Sequence, residues 1–557
     1  MLLVMCVGSC LAQESQTKIF LDHLRRGEER SAAKQWAEAI PLWKKVVQIN
    51  PVEGEFWNKL GEAYYNNKQF AEAIPAYKQA FELGNGLPWE TAYNIAKCYA
   101  RAGDKEQALR WLEKSFAMGF QSLTQAQADP DFGSVKNEPR FRALTVFEDT
   151  SKMSRVEGWR YDLQILSREV KRRRYYPFKD ISETEFDRNV KEISAAVPKL
   201  TDMQIVVEMM KLMRKVGDGH TMLYAFWERP EFLQTIPVDM LFFREGLFIT
   251  AADSRYTDLL GAQVLRFGSR TIDETMKEID PILNRDNERG PRIMGLMRLR
   301  ELPLMHALGI IPDPDKVSLT IRDMQGKIRT VELPGDSGVA TRKLWDGLPP
   351  NWKALHDTLP GPLPIYLKNN NRDYRFEFIP ETKTVYFQFN HVRDDPQEPF
   401  SEFCDRLFKY INEHEVDRLV IDLRWNPGGD TGLTPPLIRA LIRSDKINVR
   451  GKLFVIIGRR TYSAAQNVAT YIERNTNAIF VGEPTNSSPN FIGEDDAFEL
   501  PYSKIMANAS AYYWQSSWPF DYRTWIAPLL YVPPGFEDYR TNRDPAMEAI
   551  LSYKTGP

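Results

Sequence analysis

The sequence predicts a multidomain protein: an α-helical solenoid of repeats, then a helical segment, a β-rich segment and an α/β core. Three observations indicate this order. The 557 residues are more than one hydrophobic core usually organises. Residues 20–120 repeat themselves with a period of about 34 residues. The last third of the chain alternates short apolar runs with runs of helical periodicity, as α/β domains do.

Charge and composition exclude some functional classes. The chain carries 73 basic and 75 acidic side chains, interspersed, for a formal net charge of -2. Such a balance creates no field that would attract a polyphosphate backbone, so we expect no nucleic-acid partner. With 43% hydrophobic and 27% charged residues, the composition is that of a folded globular protein.

Residues 1–12, MLLVMCVGSCLA, form the most apolar run. The run is too short to span a bilayer and is predicted to be an export signal. Cleavage near Ala12 and lipidation of Cys10 are equal alternatives, and an apolar terminus without an export role is the third. We expect an exported protein, in the periplasm, the cell envelope or the medium, with membrane attachment only through a lipid on Cys10.

Cysteine and histidine spacing favours neither disulfides nor metal. Outside the predicted signal only Cys98 and Cys404 remain, in different predicted domains. The six histidines show none of the spacings typical of zinc ligands. The sequence therefore predicts no metal and no cofactor.

The repeat region, residues 17–148, carries bulky residues on the first helix of each repeat and small residues where the second helix crosses it. The middle copy shows this best, in Trp57, Leu60, Gly61, Tyr64, Ala73, Tyr77 and Ala80. The pattern resembles tetratricopeptide repeats, which implies a concave groove that holds a peptide or protein partner. A helical spacer that binds no ligand is an equally weighted alternative.

The rest of the chain divides into three further predicted segments. Residues 155–230 have helical periodicity, and the second helix opens at the capping residue Thr201. Residues 235–340 are β-rich; GAQVLRFGSRTIDE resembles the central strand and helix start of a PDZ domain, and a plain β insert is the alternative. Residues 374–557 form the predicted α/β core.

Ser463 is the candidate nucleophile. It joins the apolar strand GKLFVIIG to the helix AAQNVATYIE, where the positive end of the helix dipole and the Ala464 N–H could stabilise an oxyanion. A serine that merely caps its helix is the alternative. Gly428 and Gly429 follow another buried strand and could supply further backbone N–H donors.

The segments DLRWNPGG, GRRTYSAAQN, VGEPT and TNRDPAMEAIL resemble, in that order, the core of the C-terminal processing peptidases, which include tail-specific and tricorn-core peptidases. The resemblance implies a crotonase/Clp-like core and an acyl-enzyme formed on Ser463. It also implies oxyanion donors at Gly428 or Gly429 and at Ala464, and a peptide or protein substrate.

The general base is not the lysine that tail-specific members use, because Ser488 stands at that position. The tricorn-like pattern implies His220 as the base, and His391 is the rival. Asp521 and Glu483 are level candidates for the carboxylate that orients His220. The sequence thus predicts an exported serine-type peptidase; a non-catalytic binding protein that retains the peptidase fold is the alternative.

Overall fold

The computed structural model describes residues 2–554 except 121, 177, 179, 225–231, 233, 338–347, 369–370 and 495. The side chains of residues 2–15 and of Thr124 are outside this description. Met1 and the side chains of the predicted export signal, residues 1–12, therefore lie outside the described residues. The chain forms two compact units, one of Met1–Lys152 with Lys171–Arg173 and one of Met153–Val170 with Arg174–Pro557.

The first unit is a run of helices that pack in consecutive pairs. Its helices are α1 (Leu2–Ala32), α2 (Trp36–Ile49), α3 (Gly54–Asn66), α4 (Phe70–Glu82), α5 (Pro88–Ala102), α6 (Lys105–Ala117), α7 (Leu123–Ala128) and α8 (Pro139–Thr145). Gly61 shows why small residues stand at the crossings: a Cβ there would lie 2.8 Å from the Tyr77 ring. Cys98 is buried in this unit as a free thiol.

The second unit begins with three helices, α9 (Arg155–Arg173), α10 (Glu183–Ala196) and α11 (Asp202–Lys215), of which α9 has its last three residues grouped with the first unit. Thr201 begins α11 with a capping box, since its hydroxyl accepts from the Gln204 N–H and the Gln204 side chain accepts from the Thr201 N–H. Helix α11 buries a methionine-rich face, and β1 (Met222–Tyr224) follows it.

A seven-stranded antiparallel sheet follows, in the order β10-β4-β5-β7-β8, with β3 paired to β4 and β6 to β5. Its strands are β3 (Val238–Phe243), β4 (Gly246–Asp253), β5 (Gln263–Phe267), β6 (Arg270–Thr271), β7 (Lys316–Arg322), β8 (Ile328–Pro334) and β10 (Trp352–Ala354). Strands β2 (Gln234–Thr235) and β9 (Asp336–Ser337) pair separately.

The predicted β-rich segment is also partly helical. Between β6 and β7 lie α12 (Ile272–Ile279), α13 (Pro291–Leu299) and α14 (Leu302–Ala307). Thr271 and Glu274 form the capping box that begins α12, a local signal that overrides the surrounding strand pattern.

The core of the second unit is a six-stranded sheet in the order β11-β12-β13-β14-β15-β20. Its strands are β11 (Tyr374–Ile379), β12 (Thr384–Phe389), β13 (Arg418–Asp422), β14 (Leu453–Ile457), β15 (Ile479–Gly482) and β20 (Leu530–Tyr531). All neighbours from β12 onward are parallel, and only the edge strand β11 is antiparallel. Parallel strands need covered faces, and β14 is buried on both.

Helices connect the parallel strands and cover the sheet. They are α15 (Phe400–Glu413), α16 (Pro435–Arg443) and α17 (Ala464–Asn475), and the chain ends with α18 (Phe536–Arg540) and α19 (Pro545–Ser552). The remaining strands are β16 (Asn490–Gly493), β17 (Ala497–Glu499), β18 (Met506–Asn508) and β19 (Tyr512–Gln515). Strand β18 pairs with both β1 and β17, and β16 pairs with β19. β18 pairs with β1 and so fixes the position of the chain just before β1, where His220 stands two residues ahead of the strand.

Candidate active site

Ser463 occupies the sharp turn between β14 and α17. Its backbone has φ 54° and ψ -125°, a conformation that costs a non-glycine residue energy. Thr461 holds the turn, because its hydroxyl accepts from the Gly458 N–H at 3.0 Å and donates to the Leu423 carbonyl at 2.8 Å. The turn therefore presents the Ser463 side chain at the carboxyl end of the parallel sheet.

The Gly428–Gly429 loop lies against this turn. A Cβ on Gly428, whose φ is +116°, would stand 2.7 Å from the Ser463 Cβ, so only glycine allows this approach. Asn426 ties the two loops together, since its carbonyl accepts from the Tyr462 N–H and its side-chain oxygen accepts from the Gly428 N–H at 3.0 Å.

Two backbone N–H groups near Ser463 are available as donors. The Gly428 N–H is engaged by Asn426, whereas no hydrogen bond of the described residues engages the Gly429 N–H. Ala464 is the first residue of α17, and N–H groups of a first turn have no partner within their helix. Of the predicted donors, Gly429 and Ala464 thus keep free N–H groups.

His220 lies beside the nucleophile. Its Nε2 is 3.0 Å from the Ser463 Oγ, although 242 residues separate the two in sequence. The imidazole is buried and packs against the rings of Tyr462 and Phe491. A serine hydroxyl within hydrogen-bond reach of an imidazole nitrogen is one of the arrangements by which a general base activates a serine nucleophile.

Asp218 fixes the backbone that carries His220. One carboxylate oxygen accepts from the His220 N–H at 2.8 Å, the Thr221 N–H at 2.6 Å and the Ser510 hydroxyl at 2.8 Å. The other accepts from Arg174 Nε at 2.9 Å. Burial acts to raise the pKa of Asp218, but Arg174 and these hydrogen bonds outweigh it and hold the pKa below its ordinary value.

The second nitrogen of His220 contacts a hydroxyl. The Tyr462 hydroxyl lies 2.8 Å from Nδ1, and the two rings also stack with centroids 4.6 Å apart. Tyr462 directly precedes Ser463, so the strained turn places both side chains around one imidazole. This contact can fix the imidazole tautomer, because the Nδ1–H would donate to the hydroxyl oxygen and leave Nε2 as an acceptor.

Asp286 is a second carboxyl group of the site and is half-buried. It accepts from the Gly219 N–H at 2.7 Å and from the Ser487 hydroxyl at 2.6 Å. A Cβ on Gly219 would lie 2.5 Å from the Tyr462 hydroxyl and 2.9 Å from Asp286 Oδ1, so that carboxyl group is close to the hydroxyl. Burial raises the pKa of Asp286, and the nearby His220 acts in the opposite direction.

The other predicted site residues have different partners. Arg459 engages both oxygens of Glu483, at 2.8 and 3.0 Å. Asp521 accepts from the Ser517 hydroxyl at 2.6 Å and pairs with Arg523. His391 Nδ1 lies 3.0 Å from Asp373 Oδ1, and the Ser488 hydroxyl donates to the Thr524 carbonyl. The structure thus brings together His220, Ser463, Gly429 and Ala464.

Sequence reasoning did not identify Tyr462, Asp286 or Asn426 as parts of this site. Tyr462 and Asn426 stand inside motifs that the resemblance used, so their position beside Ser463 and Gly428 was a usable signal. Asp286 had no such signal, because it precedes α13 in a loop far from every motif.

The described residues contain neither a membrane-spanning helix nor a cluster of metal ligands. No helix there combines the length and the hydropathy needed to cross a membrane. No group of three or more His, Cys, Asp or Glu side chains in the described part of the chain could hold a metal ion.

Comparison with known proteins gives the family of the repeats and the fold. The sequence profile of the tetratricopeptide repeat family matches residues 52–119. No curated protein sequence matches. Among solved structures, mature CPAF complexed with lactacystin is 12% identical, with a TM-score of 0.50, over 71% of this chain and 98% of that chain. A CPAF mutant is 11% identical, with a TM-score of 0.50, over 72% of this chain and 99% of that chain.

The photosystem II D1 C-terminal processing protease is 11% identical, with a TM-score of 0.35, over 71% of this chain and 96% of that chain. The two CPAF structures show a shared fold. The chain is therefore a helical repeat region followed by a mixed α/β region with several sheets and the fold of CPAF. At the level of the repeats and the fold, the resemblance read from the sequence is confirmed.

Proposed function

We propose that this protein is a serine-type peptidase that works through an acyl-enzyme on Ser463. One observation carries the proposal: the Ser463 hydroxyl, held on a strained strand-to-helix turn, lies 3.0 Å from the buried imidazole of His220. The likeness in fold to CPAF is compatible with this chemistry but does not assign it, because one fold hosts many activities.

In the proposed reaction, Ser463 Oγ attacks the carbonyl carbon of a peptide bond while His220 Nε2 takes the hydroxyl proton. The imidazolium then gives that proton to the leaving amine, and the C–N bond breaks. Water hydrolyses the acyl-enzyme in the same manner, with His220 first taking a water proton and then returning it to Ser463. Every proton transfer uses Nε2, so Nδ1 must carry the other proton.

Backbone donors stabilise the tetrahedral intermediate. The N–H groups of Gly429 and Ala464 donate to the oxyanion, and the positive end of the α17 dipole adds to their field. Gly428 has a different role, because its N–H is taken by Asn426 and its missing side chain makes room for Ser463. Of the two glycines left open by the sequence, the geometry favours Gly429 as the donor.

Tyr462 and Asp286 position the base. The Tyr462 hydroxyl accepts the Nδ1–H, and the half-buried Asp286 carboxyl group near it stabilises the positive charge that develops on the imidazole. Glu483 and Asp521 fit this role less well, since arginine side chains already neutralise their carboxylates.

Finer features of the fold belong to the same proposal. The sheet that contains β5 has a PDZ-like fold in this proposal, because α12 begins five residues after β5 ends, as the strand and helix of a PDZ domain follow each other. The alternation of β12–β15 with α15–α17 supports a crotonase-like core. Residues 1–12 act as an export signal, and the intact mass of protein purified from its native host distinguishes cleavage after Ala12 from a lipid on Cys10.

Hydrolysis of a peptide library tests the activity. The wild-type protein should cleave peptides, and both Ser463→Ala and His220→Ala should reduce kcat/KM by at least about 1,000-fold, as loss of a catalytic serine or its base does. Ser401→Ala, on α15, and His414→Ala, directly after the end of α15, change exposed residues and are matched controls that should keep full activity. Cleavage that survives Ser463→Ala would refute the proposal. Tight peptide binding without cleavage would favour the non-catalytic binding protein.

A further inference from the structure

A groove in the second unit holds a group of cations that the proposed peptidase reaction does not use. Its walls are α10, α11 and residues 280–285, and its volume is about 540 Å³. Pockets of this size accommodate small molecules. Cations exceed carboxylates in the lining, which has four cationic and three acidic side chains: Lys211, Arg214, Lys215 and Arg285, and Glu192, Glu208 and Asp280.

Arg214 supplies the charge that the groove does not neutralise. It lies in the last turn of α11. No carboxylate of the described residues forms an ion pair with its guanidinium, and its Nε is buried without a hydrogen-bond partner among those residues. Burial, followed by the positive charge of Arg285, lowers the pKa of Arg214. Asp280, Glu288 and Asp180 oppose this shift without reversing it. Arginine keeps its charge at neutral pH even so.

Arg285 faces the groove from the segment that follows α12. Only 8% of its side chain is exposed, and Asp280 accepts from its Nη2 at 2.6 Å. Glu288 lies 3.4 Å from its Nη1. The Nε of Arg285 is buried and has no hydrogen-bond partner in the described part of the chain. A buried donor that makes no hydrogen bond costs free energy, so a ligand that accepts from it gains affinity.

The other charges of the lining already have neighbours. Lys211 Nζ donates to Glu208 at 2.7 Å, and Glu192 lies 3.9 Å from Arg188. Lys215 is exposed and donates to a neutral amide oxygen at 3.1 Å, so it adds its positive charge to the groove. The surplus of positive charge therefore lies at the two arginines.

A doubly charged anion with several oxygens suits these two arginines best. A guanidinium group donates parallel N–H bonds to the oxygens of phosphate. A dianion between two guanidinium groups also offsets the repulsion between them, whereas a single carboxylate offsets only one of the two charges. Because the groove is larger than a phosphate ion, a small organic substituent on the phosphate fits as well.

We infer that this groove binds a phosphoryl group between Arg214 and Arg285, either free phosphate or the phosphate of a small monoester. The bound group joins α11 to residues 280–285. The chain continues from both elements toward the candidate active site, since His220 follows α11 and Asp286 follows Arg285. The groove and the site share no residue, so phosphate stabilises this part of the second unit without entering the reaction.

The first test is calorimetric titration of the full-length protein with inorganic phosphate at constant ionic strength. Wild type should bind phosphate with a Kd of about 1 mM or tighter, and Arg214→Gln should weaken binding at least about tenfold, because one of two guanidinium groups is lost. Arg439→Gln, on an exposed position of α16, is the matched control and should bind like wild type. Tighter binding of glycerol phosphate than of phosphate identifies a monoester as the ligand, and equal or weaker binding identifies the free ion.

Thermal unfolding is the second measurement. Phosphate should raise the unfolding temperature of wild type and of His220→Ala alike, because it binds the folded chain away from the candidate active site. Arg214→Lys keeps the charge but loses the paired N–H donors, so it should also bind more weakly than wild type, and it replaces Arg214→Gln if that variant does not fold. No binding at about 10 mM phosphate, unchanged binding by a folded Arg214 variant, or binding that His220→Ala abolishes would overturn the inference.

Discussion

Tyr462 shows how one side chain can serve two elements of the candidate site. Its backbone is part of the turn that strains Ser463, and its hydroxyl contacts Nδ1 of His220 at 2.8 Å. The proposed nucleophile, Ser463, and the residue that contacts the proposed base, Tyr462, are therefore neighbours in one turn. Any change in the turn moves both together, which is how rigid sites keep reacting atoms aligned.

Tyr462→Phe should lower kcat by about 100-fold or less while KM changes little, since the variant loses the acceptor for Nδ1–H but no substrate contact. Steady-state kinetics on a cleaved peptide would measure both constants. Tyr522→Phe is the control, because Tyr522 is 80% exposed. A rise in KM with an unchanged kcat would contradict a positioning role for Tyr462.

Asp218 makes the stability of the folded protein depend on pH. Asp218→Asn should lower the free energy of unfolding by about 3–5 kcal/mol at neutral pH, because it leaves the buried Arg174 without its partner. The pKa of Asp218 is lower in the folded than in the unfolded chain. The ionised carboxylate therefore contributes its full share of the free energy of unfolding above the pKa of the unfolded chain, about 4. The contribution is lost as pH falls through the folded value.

Chemical unfolding of wild type and Asp218→Asn at pH 7, 5 and 3 would measure the difference in their free energies of unfolding. This difference should be the same at pH 7 and pH 5 and smaller at pH 3. The control is Glu537→Gln, which removes the partner of Arg540 in an exposed ion pair and should lower the free energy of unfolding by less than about 1 kcal/mol. A difference that grows toward low pH would contradict the assigned direction of the pKa shift.

At the scale of elements, the carboxyl ends of β13 and β14 build the site. Each strand ends in a loop, and Asn426 joins the loops through its backbone and its side chain. Gly428 is the point of closest approach between them. The loops therefore act as one rigid piece.

Gly428→Ala should stop the reaction without unfolding the core. Its Cβ would meet the Ser463 Cβ at 2.7 Å and the Ala464 nitrogen at 3.0 Å, and its φ is unfavourable for alanine. We expect a loss of about 1–3 kcal/mol in stability and a fall in kcat/KM of roughly 100-fold from the displaced nucleophile. Gly458→Ala, whose Cβ would lie no closer than 3.6 Å to its neighbours, should be tolerated. Full activity of Gly428→Ala would show that the loops do not act together.

The same elements show what the sequence could predict. The apolar run 453–457 and the helical period after Ser463 predicted a strand, a turn and a helix, and the structure has β14 and α17 there. Neighbouring parallel strands also implied that the Gly428 loop and Ser463 share one edge. The carboxyl group near His220 could not be predicted, because Asp286 reaches the site through tertiary packing and no local pattern marks it. The segment GAQVLRFGSRTIDE had indicated a strand and a helix start, and β5 and α12 lie there, whereas α13 and α14 were missed because strand-like runs surround them.

At the scale of the whole molecule, two compact units are organised around different contacts. The helices of the repeat unit hold Asp129 and Asp131 through Tyr93 and Arg101, and in the proposed function the second unit presents Ser463 and His220 to a peptide carbonyl group. Both proposals concern the second unit, but the groove and the candidate active site have no residue in common, so the proposals can fail separately. Phosphate binding to the groove and hydrolysis of peptides are therefore independent measurements on one protein.

The most direct test of the central claim is labelling with a fluorophosphonate, followed by mass spectrometry to locate the adduct. The wild-type protein should carry one adduct, on Ser463, and His220→Ala should reduce its rate of formation by about 100-fold or more, since the base no longer removes the hydroxyl proton. A folded wild-type protein that remains unlabelled, or an adduct on a different serine, would contradict the account.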